Sequence, residues 1–133
     1  MINRNPKRFL RLIENNPDIY FSELITSCGQ AAINNANDEA AIKKTLRHIK
    51  QEAALLIALC DLGGIWDVIR VTEALSDLAD ASLKAALSFL LAVEASSGKI
   101  TSFDRDQPKG VVILALGKHG ARELNYSSDI DII

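Results

Sequence analysis

The chain has 133 residues, with 15 lysines and arginines against 17 aspartates and glutamates, so its formal net charge is −2. Hydrophobic residues make up 48% of the sequence, which is enough for a packed core and excludes a wholly disordered chain. No apolar stretch approaches the ~18 residues of a membrane span, and the slight acidic surplus argues against a dedicated nucleic-acid-binding domain. The spacing of Cys28 and Cys60 fits neither a disulfide framework nor a metal site, which predicts reduced thiols and a cytoplasmic protein.

The chain begins with basic side chains at helical spacing, at Arg4, Lys7, Arg8 and Arg11. We interpret them as the solvated face of a short amphipathic helix. The alternative, an arginine-rich transit peptide, is disfavoured because Glu14 and Asp18 follow directly. Pro17 is expected to end this helix, and a second short helix is predicted over residues 20–27.

Two long helices are predicted next. Asp38 is a ready cap for the first of them, and the Gly63-Gly64 pair is expected to end it. Its apolar residues recur in steps of three and four, at Ile42, Leu46, Ile49, Ala53, Leu56 and Cys60. Asp67 is expected to cap the second helix, which runs to residue 97. The short turn between the helices predicts an antiparallel pair.

The character of the sequence changes near residue 100. Residues 1–100 are predicted to be a helical region, and residues 101–109 are a polar, turn-rich connector. Residues 110–116 form a continuous, largely β-branched apolar run, which is typical of a strand buried on both faces. Residues 129–133 alternate like a second strand. The predicted fold class is therefore α+β, in which a helical region leads into the first two strands of a truncated domain over residues 110–133.

Asp129 and Asp131 are candidate catalytic and metal-binding residues. On a strand, side chains two positions apart leave the same face, roughly 6.5 Å apart at the backbone. Two such carboxylates suit Mg²⁺ or Mn²⁺, which in turn bridges substrate phosphates. Taken alone, the Asp-x-Asp pattern also fits an edge strand that carries two solvated acids.

Gly117 and Gly120 follow the first predicted strand at once. Glycines let backbone N–H groups approach an anion, and Lys118 adds a positive charge, so the turn is a candidate phosphate-binding site. Taken alone, it also fits a plain tight turn. A phosphate-binding turn followed closely by Asp129 and Asp131 is the arrangement of metal-assisted phosphoryl or nucleotidyl transfer.

These residues carry a family resemblance. The pattern of Gly117-Lys118 followed by Asp129-Ile130-Asp131-Ile132 resembles the nucleotidyltransferase superfamily that includes DNA polymerase beta, although Lys118 replaces the usual second small residue. The run ALGKHGARELNYSSDID over residues 115–131 looks like the signature of the glutamine synthetase adenylyltransferase family. Residues 1–100 carry no comparable signature.

The resemblance implies an enzyme with two nucleotidyltransferase modules, which controls nitrogen assimilation. One module removes AMP from a tyrosine of glutamine synthetase by phosphorolysis, releasing ADP, and the other attaches AMP from ATP. Both use Mg²⁺, and the family responds to glutamine and to a PII-type signalling protein. The order of helical region and motif resembles the AMP-removing module. By this resemblance Gly117, Lys118, Gly120 and Ser128 would contact the nucleotide phosphates.

A third carboxylate, which the family carries on a later strand, is absent from these 133 residues. We therefore expect an N-terminal fragment of a larger enzyme that has no turnover by itself. Two other interpretations stay open. The turn also imitates a Rossmann dinucleotide-binding fingerprint, with Ala115 in the first glycine position. Alternatively, the helices form a non-enzymatic interaction module. Within the turn, His119 could contact a phosphate, but we expect it to be solvated. Arg122 could neutralise phosphate charge, and pairing with Glu123 or with solvent is an equal alternative.

Overall fold

The structure, a computed structural model, describes residues 6–35, 38–100 and 110–133. It contains five α-helices over these ranges: α1 (Pro6–Glu14), α2 (Pro17–Asn34), α3 (Glu39–Leu62), α4 (Val68–Ser96) and α5 (Gly117–Gly120). None of the helices in the described ranges has the length and apolar character that crossing a membrane requires. The predicted connector at residues 101–109 lies outside the described residues.

Side-chain caps explain where the long helices begin. Asp38 accepts a hydrogen bond from the Ala41 amide at 2.9 Å, and Asp67 accepts one from the Arg70 amide at 2.8 Å. Both predicted caps are therefore confirmed. Helix α2 starts at Pro17 and is longer than predicted, because proline fits the first turn of a helix, where its missing N–H is not needed.

The core lies where α2 packs against both α3 and α4. The predicted apolar face of α3 is confirmed, since all six of its residues are buried or packed against the buried cluster. At the end of the helices near the α3–α4 turn, Phe21 and Trp66 meet edge to face, with ring centroids 5.7 Å apart. The Arg70 guanidinium lies over the Trp66 ring at 4.6 Å.

Helix α1 is held to the core by ionic contacts. Glu52 on α3 is buried, and its carboxylate accepts hydrogen bonds from Arg8 Nε and, at 3.0 Å, from the Tyr20 hydroxyl. Arg11 lies 3.6 Å from the same carboxylate. The prediction that the basic face of α1 is wholly solvated is therefore wrong. A buried carboxylate needs charged and hydrogen-bonding partners, and the basic residues of α1 supply them.

The predicted α+β fold is wrong, because the described residues contain no β-strand. The two apolar segments meet in one isolated antiparallel bridge, between Ala115 and Ile132. Leu114 and Ile133 exchange backbone hydrogen bonds of 2.8 and 3.0 Å beside it. The segments are also not buried: Val112 and Ile133 are both 77% exposed, and Ile130 and Ile132 are exposed as well. A strand pair needs a longer ladder and a covered face, and no other described segment provides either.

Candidate functional site

The predicted phosphate-binding turn is the short helix α5. Backbone hydrogen bonds close it: Gly120 donates to the Leu116 carbonyl at 2.9 Å, and Ala121 donates to the Gly117 carbonyl at 3.0 Å. A helix of four residues is too short to be stable by itself, so its position depends on contacts with the rest of the chain.

Gly117 lies against the carboxylate of Asp131. The glycine has a φ of 53°, in the left-handed region that other residues avoid, and a Cβ atom added to it would lie 3.1 Å from Asp131 Oδ2. Next to it, the Leu116 amide donates to the Asp131 carbonyl at 2.9 Å. The structure therefore brings together one glycine of the predicted turn and one carboxylate of the predicted metal site.

Gly120 is explained by a backbone contact. A Cβ atom there would lie 2.5 Å from the Ala115 carbonyl oxygen, so only glycine fits without a shift of the backbone. Lys118 is exposed, and its side chain forms no ion pair with another described residue. Phosphate binding by Gly120 and Lys118 stays a prediction.

Ser128 organises the turn that precedes the two aspartates. Its hydroxyl accepts a hydrogen bond from the Asn125 amide at 3.0 Å and donates one to Asn125 Oδ1 at 2.9 Å. The same oxygen accepts from the Ser127 amide at 3.0 Å. These hydrogen bonds fix the turn directly before Asp129, which is exposed. The observed contacts of Ser128 are thus to its own turn, and contact with a nucleotide stays a prediction.

The carboxylates fit a hard divalent cation. Within the described ranges, no three histidine, cysteine or acidic side chains gather into a ready-made metal cage. A cage is not required for Mg²⁺, which proteins usually hold through one or two carboxylates while phosphate and water complete its coordination. Asp129 and Asp131 supply two oxygen donors, and the missing side chain at Gly117 leaves room beside Asp131. The donor chemistry thus fits Mg²⁺ or Mn²⁺, and joint binding of one ion by the two carboxylates stays a prediction.

Two further residues of the turn contact α4, which the sequence analysis missed. His119 is buried rather than solvated, and its Nε2 lies 2.8 Å from Asp80 Oδ1. Arg122 pairs not with Glu123 but with Asp77, at 2.5 Å, and this contact raises the pKa of the guanidinium. The expectation of a solvated His119 is therefore wrong, as is the pairing of Arg122 with Glu123, whereas a phosphate contact of either residue stays a prediction. The partners are 39 and 45 residues away in the chain, so no local sequence pattern reveals them.

The turn does not have the form of a dinucleotide-binding fingerprint. In that motif the glycines open a long helix whose N-terminus receives the pyrophosphate. Here α5 ends at Gly120, and Arg122 follows with a φ of 60°. A left-handed residue at that point prevents continuation of the helix. The geometry thus disfavours the Rossmann interpretation.

Comparisons with known proteins agree with the family resemblance. A family model described as glutamate-ammonia ligase adenylyltransferase matches residues 1–133. Proteins named bifunctional glutamine synthetase adenylyltransferase/adenylyl-removing enzyme are 48% identical to the chain in Bradyrhizobium diazoefficiens, 48% in Rhodopseudomonas palustris strain HaA2 and 45% in Xanthobacter autotrophicus. Each match covers 100% of the chain and 14% of the relative's length. No solved structure matches the chain significantly. Since the family model spans every residue, the chain belongs to the glutamate-ammonia ligase adenylyltransferase family.

Proposed function

We propose that this chain carries part of a nucleotidyl-transfer site that acts on glutamine synthetase, in a cytoplasmic enzyme. The observation that carries the proposal is the contact between Gly117 and the Asp131 carboxylate. A phosphate-binding turn and a metal-binding carboxylate must be adjacent if one metal–nucleotide complex is to touch both. The names of the relatives supply the protein substrate, glutamine synthetase, and the group transferred, an adenylyl group.

Each residue has a distinct part in the proposed site. Asp129 and Asp131 hold the cation, and Gly117 and Gly120 keep the backbone close to the phosphates. Lys118 is exposed beside them and adds positive charge. Bound Mg²⁺ supplies electrostatic stabilisation of the charge on the transferred phosphoryl group. Ser128 orients the segment that carries the carboxylates, through its two hydrogen bonds with Asn125.

The reaction we propose for this site is removal of AMP from a modified tyrosine of glutamine synthetase, with inorganic phosphate as the acceptor and ADP as the product. The order of the helical region and the motif, which resembles that of the AMP-removing module, supports this choice over AMP addition from ATP. A PII-type signalling protein is the regulatory partner that the resemblance implies. These 133 residues are proposed to lack turnover by themselves.

A chimera tests the proposed reaction. In it, residues 1–133 replace the aligned 136-residue region of the Bradyrhizobium diazoefficiens enzyme, whose name records both activities. The Asp129→Asn and Asp131→Asn variants of this chimera are expected to lose phosphate-dependent AMP removal and to retain ATP-dependent AMP addition. Loss of addition with removal intact would assign the site to the other reaction.

The isolated chain provides a second test. Incubated with AMP-modified glutamine synthetase, phosphate and Mg²⁺, it is expected to release no ADP, because the third carboxylate is absent from these residues. Metal-dependent release that disappears in the Asp131→Asn variant would show that the chain is sufficient for turnover.

A further inference from the structure

We propose that Asp80, on α4, is a positioning residue for the Gly117–Gly120 turn: through His119 it holds Gly117 against the carboxylate of Asp131. The proposal rests on the proposed function, because the position of the turn matters only if the turn is part of the phosphate- and metal-binding site. Asp80 lies in the helical region, well before the motif, so no motif comparison singles it out.

The contact between His119 and Asp80 is the buried part of this attachment. The His119 side chain is 1% exposed, and it lies between the two glycines of α5. Its Nε2 is 2.8 Å from Asp80 Oδ1, whereas its Nδ1 is buried and has no hydrogen-bond partner among the described residues. Because a carboxylate only accepts hydrogen bonds, the contact requires a proton on Nε2 that is donated to Asp80.

A second contact holds the end of the turn. Arg122 pairs with Asp77 through Nη2 and lies 3.5 Å from Asp80 Oδ2 through Nη1. Asp77 and Asp80 are three residues apart on α4, so both carboxylates face the turn from one side of the helix. Arg122 itself has a φ of 60°, a conformation that persists in a non-glycine residue when tertiary contacts hold it.

These contacts matter because α5 has little stability of its own. Its backbone hydrogen bonds run within residues 116–123, and none of them reaches α4. Without the Asp80 carboxylate, His119 would lose its buried partner, and of these contacts only the pair of Arg122 with Asp77 would attach the turn to α4. We then expect the contact of Gly117 with Asp131, and the hydrogen bond from the Leu116 amide to the Asp131 carbonyl, to open more often.

The test compares three variants of the 133-residue chain. Asp80→Ala removes the acceptor, and Asp80→Asn keeps an acceptor oxygen without the charge. Glu94→Gln is the matched control, because Glu94 is an acid on the same helix that pairs with Lys99 instead of with the turn. Nitrogen NMR of the imidazole reads the His119 tautomer, amide hydrogen exchange reads the Leu116 hydrogen bond, and circular dichroism reports helix content.

We expect Asp80→Ala to abolish the Nε2–H preference of His119 and to accelerate exchange of the Leu116 amide about tenfold, with helix content unchanged. Asp80→Asn should retain the tautomer, because its amide oxygen can still accept the hydrogen bond. If the charge of Asp80 alone were responsible, this variant would lose the tautomer as well. Glu94→Gln should match the wild type. Unchanged tautomer and Leu116 exchange in Asp80→Ala would overturn the proposal. If that variant loses helix content, the Asp80→Asn variant decides by whether its His119 keeps the tautomer.

Binding of Mn²⁺, followed by electron paramagnetic resonance, separates this inference from the proposed function. Asp131→Asn is expected to abolish binding, and Asp80→Ala to weaken it about tenfold, as loss of a supporting residue does in other metal sites. Full binding by Asp80→Ala, with none by Asp131→Asn, would refute the positioning role alone. Equal binding by the wild type and Asp131→Asn, or none by either, would refute the proposed metal site, and the Leu116 exchange would still decide the role of Asp80.

Discussion

The Tyr126 hydroxyl donates a hydrogen bond of 3.0 Å to Asp61 Oδ2. This bond joins the motif segment, residues 115–131, to the end of α3 across 65 residues of sequence. Partial burial of the phenol and this bond to a carboxylate raise the pKa of Tyr126 to about 12. With the contacts of His119 and Arg122 to α4, three side chains of the motif segment are held by the helical region. The helices therefore support the candidate site as well as forming the core.

The Tyr126–Asp61 bond predicts a loss of stability at high pH. An unfolded tyrosine releases its proton near pH 10, whereas folded Tyr126 keeps it to about pH 12. The contribution of Tyr126 to the free energy of unfolding is thus fully present below about pH 10 and is lost as the pH rises to about 12. Urea unfolding should show that the stability difference between the wild type and Tyr126→Phe shrinks over this window. A difference that is constant with pH would contradict the assignment.

Gly117→Ala is expected to lower the free energy of unfolding by about 1–2 kcal/mol, because alanine is strained at a left-handed φ. The added Cβ would also press on the Asp131 carboxylate, so Mn²⁺ binding should weaken. Gly29→Ala is the matched control: Gly29 lies within α2, and an added Cβ there meets open space. That change should stabilise the chain by about 0.5–1 kcal/mol. Equal changes in the free energy of unfolding for Gly117→Ala and Gly29→Ala, measured with urea, would contradict the left-handed conformation of Gly117.

Glu52→Ala is expected to lower the free energy of unfolding by about 3 kcal/mol, because Arg8 and Tyr20 would lose their buried acceptor. Glu52→Gln should cost less, since an amide oxygen can still accept from the Tyr20 hydroxyl. Glu39→Gln is the control, because Glu39 forms an exposed pair with Lys43 on the same helix and its loss should cost below about 1 kcal/mol. The prediction fails if urea unfolding gives similar losses in the free energy of unfolding for Glu52→Ala and Glu39→Gln.

Cys28 and Cys60 are expected to be unreactive in the folded chain. Both are buried and free, and burial raises the pKa of each thiol, so little thiolate is present at neutral pH. A thiol-specific chromogenic reagent should react with neither cysteine in buffer and with both in concentrated urea. The Cys60→Ser variant should lower the urea endpoint by half. Rapid reaction of the folded wild type would contradict the predicted burial.

Local chemistry made much of the helical fold predictable. Asp38 and Asp67 can each satisfy free amides at a helix start, and the Gly63-Gly64 pair ends α3 because Gly64 adopts a φ of 63°. Such signals act over a few residues, so they can be recognised without knowledge of the fold. The length of α2 was harder to predict, because its buried residues contact α3 and α4 rather than one another.

The strand predictions failed for a different reason. Apolar runs at residues 110–116 and 129–133 have strand character, but a strand exists only through pairing with neighbours. In the described structure the two segments meet at the single bridge between Ala115 and Ile132 and stay exposed. A sequence pattern records the tendency of a segment, and it does not record whether a partner and a covering layer are present.

The amino-acid sequence by itself determined the family and the candidate site, because residues 115–131 keep their chemical identities and spacing whatever the rest of the chain does. Only the tertiary structure decided how that segment is held. His119 and Arg122 meet Asp80 and Asp77 across 39 and 45 residues, and Gly117 meets Asp131 through a turn. Ionic contacts of this kind depend on where packed helices place their side chains, and spacing along the chain does not encode that placement.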